Sequence, residues 1–514
     1  MADEAEPKTG PKTEPEYDLV VVGGGINGVG IARDAAGRGL RVLLCEQGDL
    51  ASGTSSASSK LIHGGLRYLE QHEFRLVAKA LGEREVLLRN APHLVRPLRF
   101  VMPHVAGLRP RWMMRIGLFL YDHLDMRRHK RLPGSKAIRL SEHDAGAPLR
   151  SEFRDGYEYS DAWVDDARLV VLTALDAAER GATILTRTRC VGATRDEESW
   201  CVDLEAAEGR SSVRALALVN AAGPWVGEFL ELIGRGGERR VRRVKGSHIV
   251  VRRLFEHGYG YIFQNPDRRV VFALPFEEEF TLIGTTEVEF DGDPSEATID
   301  EAEIEYLCET ANRFFERVTT PSDVVHAFSG VRPLLEEEEA NPSAVTRDYQ
   351  LDLDEDGAPL LSVFGGKITT YRKLAEEALG KLGAQLGGGQ PWTEDAPLPG
   401  GDIERGELGV VSQHLIQRYP WLDESLRRRL VRAYGTRAER VLGEAASITD
   451  LGEDFGGGLF ERELRYLVTV EWARTAEDVL WRRSQLGLQL SDAQQRRVGD
   501  WIEQWQASEV ATPR

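Results

Sequence analysis

Long apolar runs are missing from this sequence: no stretch reaches the roughly 20 residues that a membrane-spanning helix needs. Cysteine is scarce. The four cysteines, Cys45, Cys190, Cys201 and Cys308, are dispersed in 514 residues. With no C-x-x-C pair they suggest neither a disulfide framework nor a metal site, and they fit a reducing cytoplasm. The 11 histidines show no H-E-x-x-H spacing, so no metal is expected. Positive charge is not in excess either. The net charge of −18 argues against general nucleic-acid binding, which needs a basic footprint. The opening MADEAEPKTGPKTEPE is acidic and Pro-bearing and reads as a disordered tail over residues 1–16, not as a signal peptide. What remains is a soluble globular composition, 41% hydrophobic, long enough for two or three structural units.

The most informative stretch is YDLVVVGGGINGVGIARDAAGRGLRVLLCEQGDL, from Tyr17 to Leu50. DLVVV is a short apolar run, as for a strand buried on both faces. Gly23, Gly25 and Gly28 follow in G-x-G-x-x-G spacing. A helical pattern ends at Gly39, and RVLLCE is a second buried strand closing on Glu46. The first glycine makes a tight turn, the second lets backbone approach a pyrophosphate, and the third lets helix pack on strand. The helix N-terminus then faces the anion, and Glu46 stands where a carboxylate holds ribose hydroxyls. This combination points to a dinucleotide.

The fingerprint alone does not separate FAD from NAD. Two later stretches favour FAD. RALALVNAAGPWV, residues 214–226, is a strand that breaks at Gly223-Pro224, a candidate second edge of the nucleotide groove. PLLSVFGGKITTYRKLAEEAL, residues 359–379, is strand, Gly pair and helix, with Thr369 and Thr370 as candidate caps. A helix N-terminus there would stabilise the negative edge of a reduced flavin. Each stretch, taken singly, also reads as an ordinary strand–turn unit. A third stretch, SSASSKLIHGGLRYLE (55–70), gathers His63, Arg67 and Tyr68 beside a turn that only glycine makes tightly. It suits a small anionic, oxidisable ligand.

GGGINGVGIARDAAGRGL, TSSASSKLIHGGLRYLE, EYSDAWVDDARLV, VNAAGPWV, KGSHIVV, IGTTEVEFDGDP, SGVRPLL and SVFGGKITTYRKLAE occur in this order. Together they resemble the FAD-dependent glycerol-3-phosphate dehydrogenases, above all those of bacterial aerobic respiration. The resemblance continues through DLGEDFG and VEWARTAEDVLWRRSQLGL, so it spans nearly the whole chain from about residue 17. It implies an α/β FAD-binding domain, Rossmann-like and of the glutathione-reductase/D-amino-acid-oxidase type, from segments 17–95, 150–230 and 325–385. Segments 96–149 and 231–324 would form an α+β cap domain with an antiparallel sheet. DPSEATIDEAEIEYLCETANRFF reads as a loop and a helix starting near Ile299–Asp300. A Gly/Pro linker follows at 386–402. Residues 403–514 are almost all helical in pattern, with Trp421, Trp472, Trp481, Trp501 and Trp505 as packing core. Glu336–Glu339 reads as a solvated turn.

The implied reaction takes sn-glycerol 3-phosphate to dihydroxyacetone phosphate by hydride transfer to N5 of non-covalent FAD. A base must remove the hydroxyl proton, and the phosphate must be pinned. The positions matching the family's phosphate clamp are Arg332 and Arg347, and an arginine fork suits the task. Arg67, Tyr68 and Lys367 complete the substrate wall. His248 in KGSHIVV is the first candidate base because imidazole titrates near working pH, and His63 is the second. Arg332 is a poor base on its intrinsic pKa but would steady the developing alkoxide. Around FAD the resemblance places Gly23, Gly25, Ile26, Asn27, Gly28, Glu46, Thr54, Ser55, Ser59, Lys60, Leu61, His63, Val191, Ala222, Gly223, Gly366, Lys367 and Thr369.

No disulfide pair, Cys cluster or haem motif is present to take the electrons onward, so the acceptor is external. The resemblance implies a membrane quinone and a protein held peripherally on the inner face of the cytoplasmic membrane. LRPRWMMRIGLFLYDHLDMRRHKRL, 108–132, holds Arg109, Arg111, Arg115, Arg127, Arg128, Lys130 and Arg131 around a Trp/Met/Phe/Leu run. That suits anionic lipid, and it equally suits a buried cap helix with a basic end. Two other functions stay open: an O2-reducing glycerophosphate or amino-acid oxidase, and a flavin-bound scaffold without catalysis. The related peroxide-forming oxidases carry a central insertion with no obvious counterpart here. A homodimer is also left open.

Overall fold

The computed structural model describes residues 14–105, 110–124, 132–236, 241–267, 269–335 and 348–510. The tail up to residue 13, Arg109, Arg127, Arg128, Lys130, Arg131, Glu336–Glu339 and Arg347 lie outside the described residues.

The strand Tyr17–Val22 is the centre of the first sheet. It pairs in parallel with Val42–Cys45 on one side and with Gly209–Asn220 on the other. The order runs Gln350–Asp354, Leu360–Phe364, Gly209–Asn220, Tyr17–Val22, Val42–Cys45, Thr183–Leu185, and the strands Arg189–Arg195 and Trp200–Ala206 continue from Gly209–Asn220. Successive side chains of a strand point to opposite faces. Leu19 and Val21 accordingly enter one apolar cluster with the helix Ile26–Gly37, while Val20 and Val22 enter another with Leu43, Trp200 and Leu218. Burial on both faces is why the sequence here is continuously apolar; each buried Val or Leu contributes about 1.5–3 kcal/mol.

The second sheet is mostly antiparallel, in the order Val288–Glu289, Val241–Arg252, Phe280–Gly284, Val270–Phe276, Gly260–Gln264, Val95–Pro103, Asp155–Val164, Leu61–Ile62, with Val324–Leu335 also paired to Val241–Arg252. Asp155–Val164 and Val324–Leu335 fall within segments assigned to the FAD domain, yet both pair in this second sheet. Strand pairing is non-local, so residues alternating like any strand do not announce which sheet they join. The helix expected from Ile299–Asp300 runs Glu301–Phe314 and opens with an Asp300/Glu303 capping box. Leu61–Ile62, at the edge of this sheet, follows directly on the serine-rich loop.

The stretch 386–402 is held firmly to the first domain. Trp392 packs at Gly37 and donates its indole N–H to the carbonyl of Asp34 at 3.2 Å, with Arg33 and Arg180 over its ring. Beyond it come the helices Leu408–Arg418, Glu424–Tyr434, Glu461–Val470 and Asp492–Val510, and a two-stranded sheet, Asp454–Gly456 with Leu459–Phe460. Trp421, Trp481, Trp501 and Trp505 pack on this unit's core, whereas Trp472 packs against the core of the first domain. Buried ion pairs fasten the two units: Arg168 to Glu471, and Arg483 and Arg482 to Asp49.

Candidate active site

The dinucleotide cradle is built by close approach. Gly23 has φ +115°, and a Cβ there would lie 2.4 Å from the carbonyl oxygen of Ala221; a Cβ on Gly28 would lie 1.9 Å from that of Gly23. Gly28 thus packs helix on strand rather than lining the cavity. Gly25 precedes the helix Ile26–Gly37 with no side-chain cap, so its positive end is open to an anion. The N–H of Ile26 donates to Ser55 Oγ at 3.0 Å, and Asn27 Nδ2 donates to the carbonyl of Gly365 at 3.0 Å. Glu46 accepts the N–H groups of Gly24 and Gly48 at 2.6 and 2.7 Å. Burial pushes its carboxyl up, and those two bonds resist the shift.

A cavity of about 1090 Å³ runs from this cradle to the second sheet. One end is bounded by Glu46, Gly48 and Thr188–Cys190. Val191 does not line it; the strand's register shifts between Cys190 and Gly192. Along its length stand Gly23, Gly25, Ile26, Asn27, Thr54, Ser55, Ser59, Leu61, Ala222, Gly223, Gly366 and Thr369. FAD fits what is there: an uncapped helix end, Gly23 and Gly28 that leave no room for a side chain, a buried carboxylate at Glu46, and Asn27 Oδ1, buried with no partner among the described residues.

At the far end the cavity gathers His63, Arg67, Tyr68, Arg332 and Lys367. Lys367 Nζ sits 3.8 Å above the Tyr68 ring. Arg332 donates to Thr285 Oγ1 at 3.1 Å and lies 3.8 Å from Glu287. Gly246 makes room for this, since a Cβ there would be 2.8 Å from Arg332 Nη2. The N–H of His63 donates to Thr369 Oγ1 at 3.3 Å. Thr369 and Thr370 do not cap the helix Tyr371–Leu386 with their side chains. Burial holds the His63 imidazole below its usual range; Asp161 opposes that shift, and Lys367 and Arg84 add to it.

Two expected residues stand behind the wall. His248 is 1% exposed and does not line the cavity. Its Nε2 is 2.9 Å from Ser59 Oγ, and its ring stacks on Phe328. Burial, with Arg332 and Lys60 nearby, pushes its pKa well below the usual imidazole value. Its ring thus meets the cavity only through Ser59, which does line it. Lys60, with φ +58°, also misses the cavity. Its ammonium donates to Asp166 at 2.5 Å and to the carbonyl of Ser56 at 2.7 Å, bracing the serine loop from outside. Sequence reasoning missed Asp161, Tyr159, Phe272, Thr285 and Glu287, all on the wall. EYSDAWV carries Tyr159 and Asp161 at alternate strand positions, one face of a strand, which is the signal that would have marked them.

Residues 18–372 match the family described as FAD dependent oxidoreductase, and residues 391–507 the C-terminal domain of alpha-glycerophosphate oxidase. The chain is 54% identical to a glycerol-3-phosphate dehydrogenase of Pseudomonas aeruginosa over 95% of each. It is 50% identical to the D-erythritol 1-phosphate dehydrogenase of Brucella abortus, over 95% of this chain and 98% of that one. Among solved structures it is similar to the glycerol-3-phosphate dehydrogenase of Bacillus halodurans complexed with FAD, with a TM-score of 0.74 and 26% identity over 96% of this chain and 94% of that one.

Proposed function

The chain belongs to the FAD dependent oxidoreductases, with the glycerol-3-phosphate dehydrogenases among its relatives, and from that premise we propose that it oxidises sn-glycerol 3-phosphate to dihydroxyacetone phosphate and passes the electrons to a membrane quinone. The observation that carries the reading is one continuous cavity joining the dinucleotide cradle to His63, Arg67, Tyr68, Arg332 and Lys367. FAD, when bound along the cradle, supplies the two-electron hydride acceptor. Arg332, Arg67 and Lys367 hold the phosphate dianion. An arginine fork fixes its orientation as well as its charge, so that carbon 2 is presented in one pose. His63 takes the hydroxyl proton. Its depressed basicity leaves the ring neutral at working pH, which a base requires.

The acceptor reading rests on the helix Arg111–His123. It turns Leu118 and Tyr121 inward and leaves Trp112, Met113, Ile116 and Phe119 exposed, with Arg111 and Arg115 beside them. No helix among the described residues is long and apolar enough to cross a membrane. A charged helix with one apolar face lies in the lipid interface instead.

Anaerobic titration tests the substrate. Glycerol 3-phosphate added under argon should bleach the yellow oxidised protein. D-erythritol 1-phosphate in the same titration separates the two named relatives' specificities. Persistent colour with glycerol 3-phosphate, or faster bleaching with the four-carbon phosphate, would overturn the assignment.

A further inference from the structure

The turn carrying His63 is anchored by two residues that belong to other elements. Asp161, on the strand Asp155–Val164, is 2% exposed and lines the cavity. The Tyr121 hydroxyl, on the helix Arg111–His123, donates to its two oxygens at 2.7 and 2.8 Å. Arg84 Nη1 donates to Asp161 at 2.9 Å. The backbone N–H of Gly64, next to His63, donates to the Tyr121 oxygen at 2.8 Å, with Asp161 Oδ1 at 3.4 Å. Contact is tight: a Cβ on Gly64 would lie 2.6 Å from Leu81 and 2.8 Å from the Tyr121 oxygen. This carboxylate and phenol fix the backbone on which the imidazole is mounted.

We propose that Asp161 and Tyr121 form a positioning pair for His63: Tyr121 sets the place of the turn, and the Asp161 charge favours the imidazolium that forms as the substrate gives up its proton. The inference rests on the reading of His63 as the base. In that step the substrate O–H bond breaks, the proton goes to the imidazole, and the hydride on carbon 2 leaves to FAD. The groups at the ring's end of the cavity are Asp161 and Tyr159 on the strand, Lys367, and Arg67 and Tyr68 on the turn itself, with Tyr121 and Arg84, the latter on the helix Phe74–Asn90, behind Asp161. Lys367 and Arg84 disfavour a further positive charge there, and Asp161 offsets them. Burial and Asp161 hold the Tyr121 phenol well above its usual pKa, so it remains a donor at working pH. A buried, fully bonded carboxylate of this kind acts through its charge and its geometry.

The test uses the holoenzyme with glycerol 3-phosphate and a soluble dye acceptor from about pH 5 to about pH 9. Wild-type bleaching under argon is scored first, so that failure of the substrate reading shows there and not in the variants. Asp161→Asn should lower kcat by about tenfold or more, leave KM little changed, and move the acid limb of kcat/KM down by about one pH unit. Asp161→Glu should restore the limb. Tyr121→Phe keeps both charges, so it should lower kcat by several-fold, with FAD content and limb unchanged. An Asp161→Asn limb superimposed on the wild type overturns the proposal. If that variant does not retain FAD, wild-type kcat in Tyr121→Phe overturns it independently.

Discussion

Arg483 grips Asp49 with two guanidinium nitrogens, at 2.5 and 2.8 Å, and Arg482 Nε adds a third contact at 2.7 Å. Arg483 is 1% and Asp49 2% exposed. Asp49 closes the same loop that carries Glu46 and Gly48 along one end of the cavity. The arginines come from Asp478–Arg483, a π-helical turn in the C-terminal unit. That unit therefore braces the Glu46 end of the cavity. Removing one partner of a buried pair costs about 3–5 kcal/mol because the other charge is left uncompensated. Arg483→Ala should lower the melting temperature and release FAD, read as flavin fluorescence, at lower temperature than the wild type. Unchanged FAD retention would show the brace to be local to the protein.

Arg332 is tied to Thr285 and set over Gly246, so its fork is preorganised before any substrate arrives. Arg332→Ala should lower kcat/KM for glycerol 3-phosphate by about 3 kcal/mol, roughly a hundredfold or more. Glycerol, which lacks the phosphate, should be a poor substrate for both proteins. Equal kcat/KM for glycerol and its phosphate would remove the clamp from the mechanism.

His93 is 3% exposed, and burial, with Arg168 nearby, pushes its pKa down to about 3. The folded value lies below the unfolded value of about 6.5. The unfolded chain therefore binds the proton more tightly between these values. The stability that His93 contributes is present above about pH 6.5 and is lost as pH falls towards the folded pKa, by about 2 kcal/mol from near pH 7 to near pH 5. Thermal midpoints at these two pH values should differ in that direction. His93→Gln should narrow the gap, and an unaltered gap would assign the acid sensitivity to other groups.

Trp112, Ile116 and Phe119 are 64%, 52% and 60% exposed on one helix. Replacing all three by Ser should release the protein from anionic vesicles and lower activity with membrane quinone, while dye-coupled activity persists. Binding of the wild type should weaken in high salt, since each basic residue near such a surface contributes about 1 kcal/mol. Co-sedimentation of the triple variant at the wild-type level would place the membrane contact elsewhere.

The glycine turn was legible in the sequence because its job is local. A turn of a few residues, a strand and a helix fix what each must be, and Gly23 at φ +115° tolerates nothing else. The capped start at Asp300 was legible for the same reason. The motifs around His63, Arg67, Tyr68, Arg332 and Lys367 were visible as strings, and the fold brings their side chains to one wall.

Depth and pairing were not legible. His248 and His63 look alike in a sequence, yet one stands behind Ser59 and the other on the cavity wall. Lys60 lies in the same loop as Ser59 but turns to Asp166, far along the chain. Asp155–Val164 alternates as a strand of either sheet would, and long-range pairing alone chose the second. The sequence by itself determined the dinucleotide turn, the element types and the presence of cationic, imidazole and phenol groups, because these follow from contacts between near neighbours. Only the tertiary structure decided which of those groups share the cavity, which are buried behind it, and that Asp161 and Tyr121 hold the His63 turn. Those outcomes depend on contacts between residues distant in the chain, which no local pattern encodes.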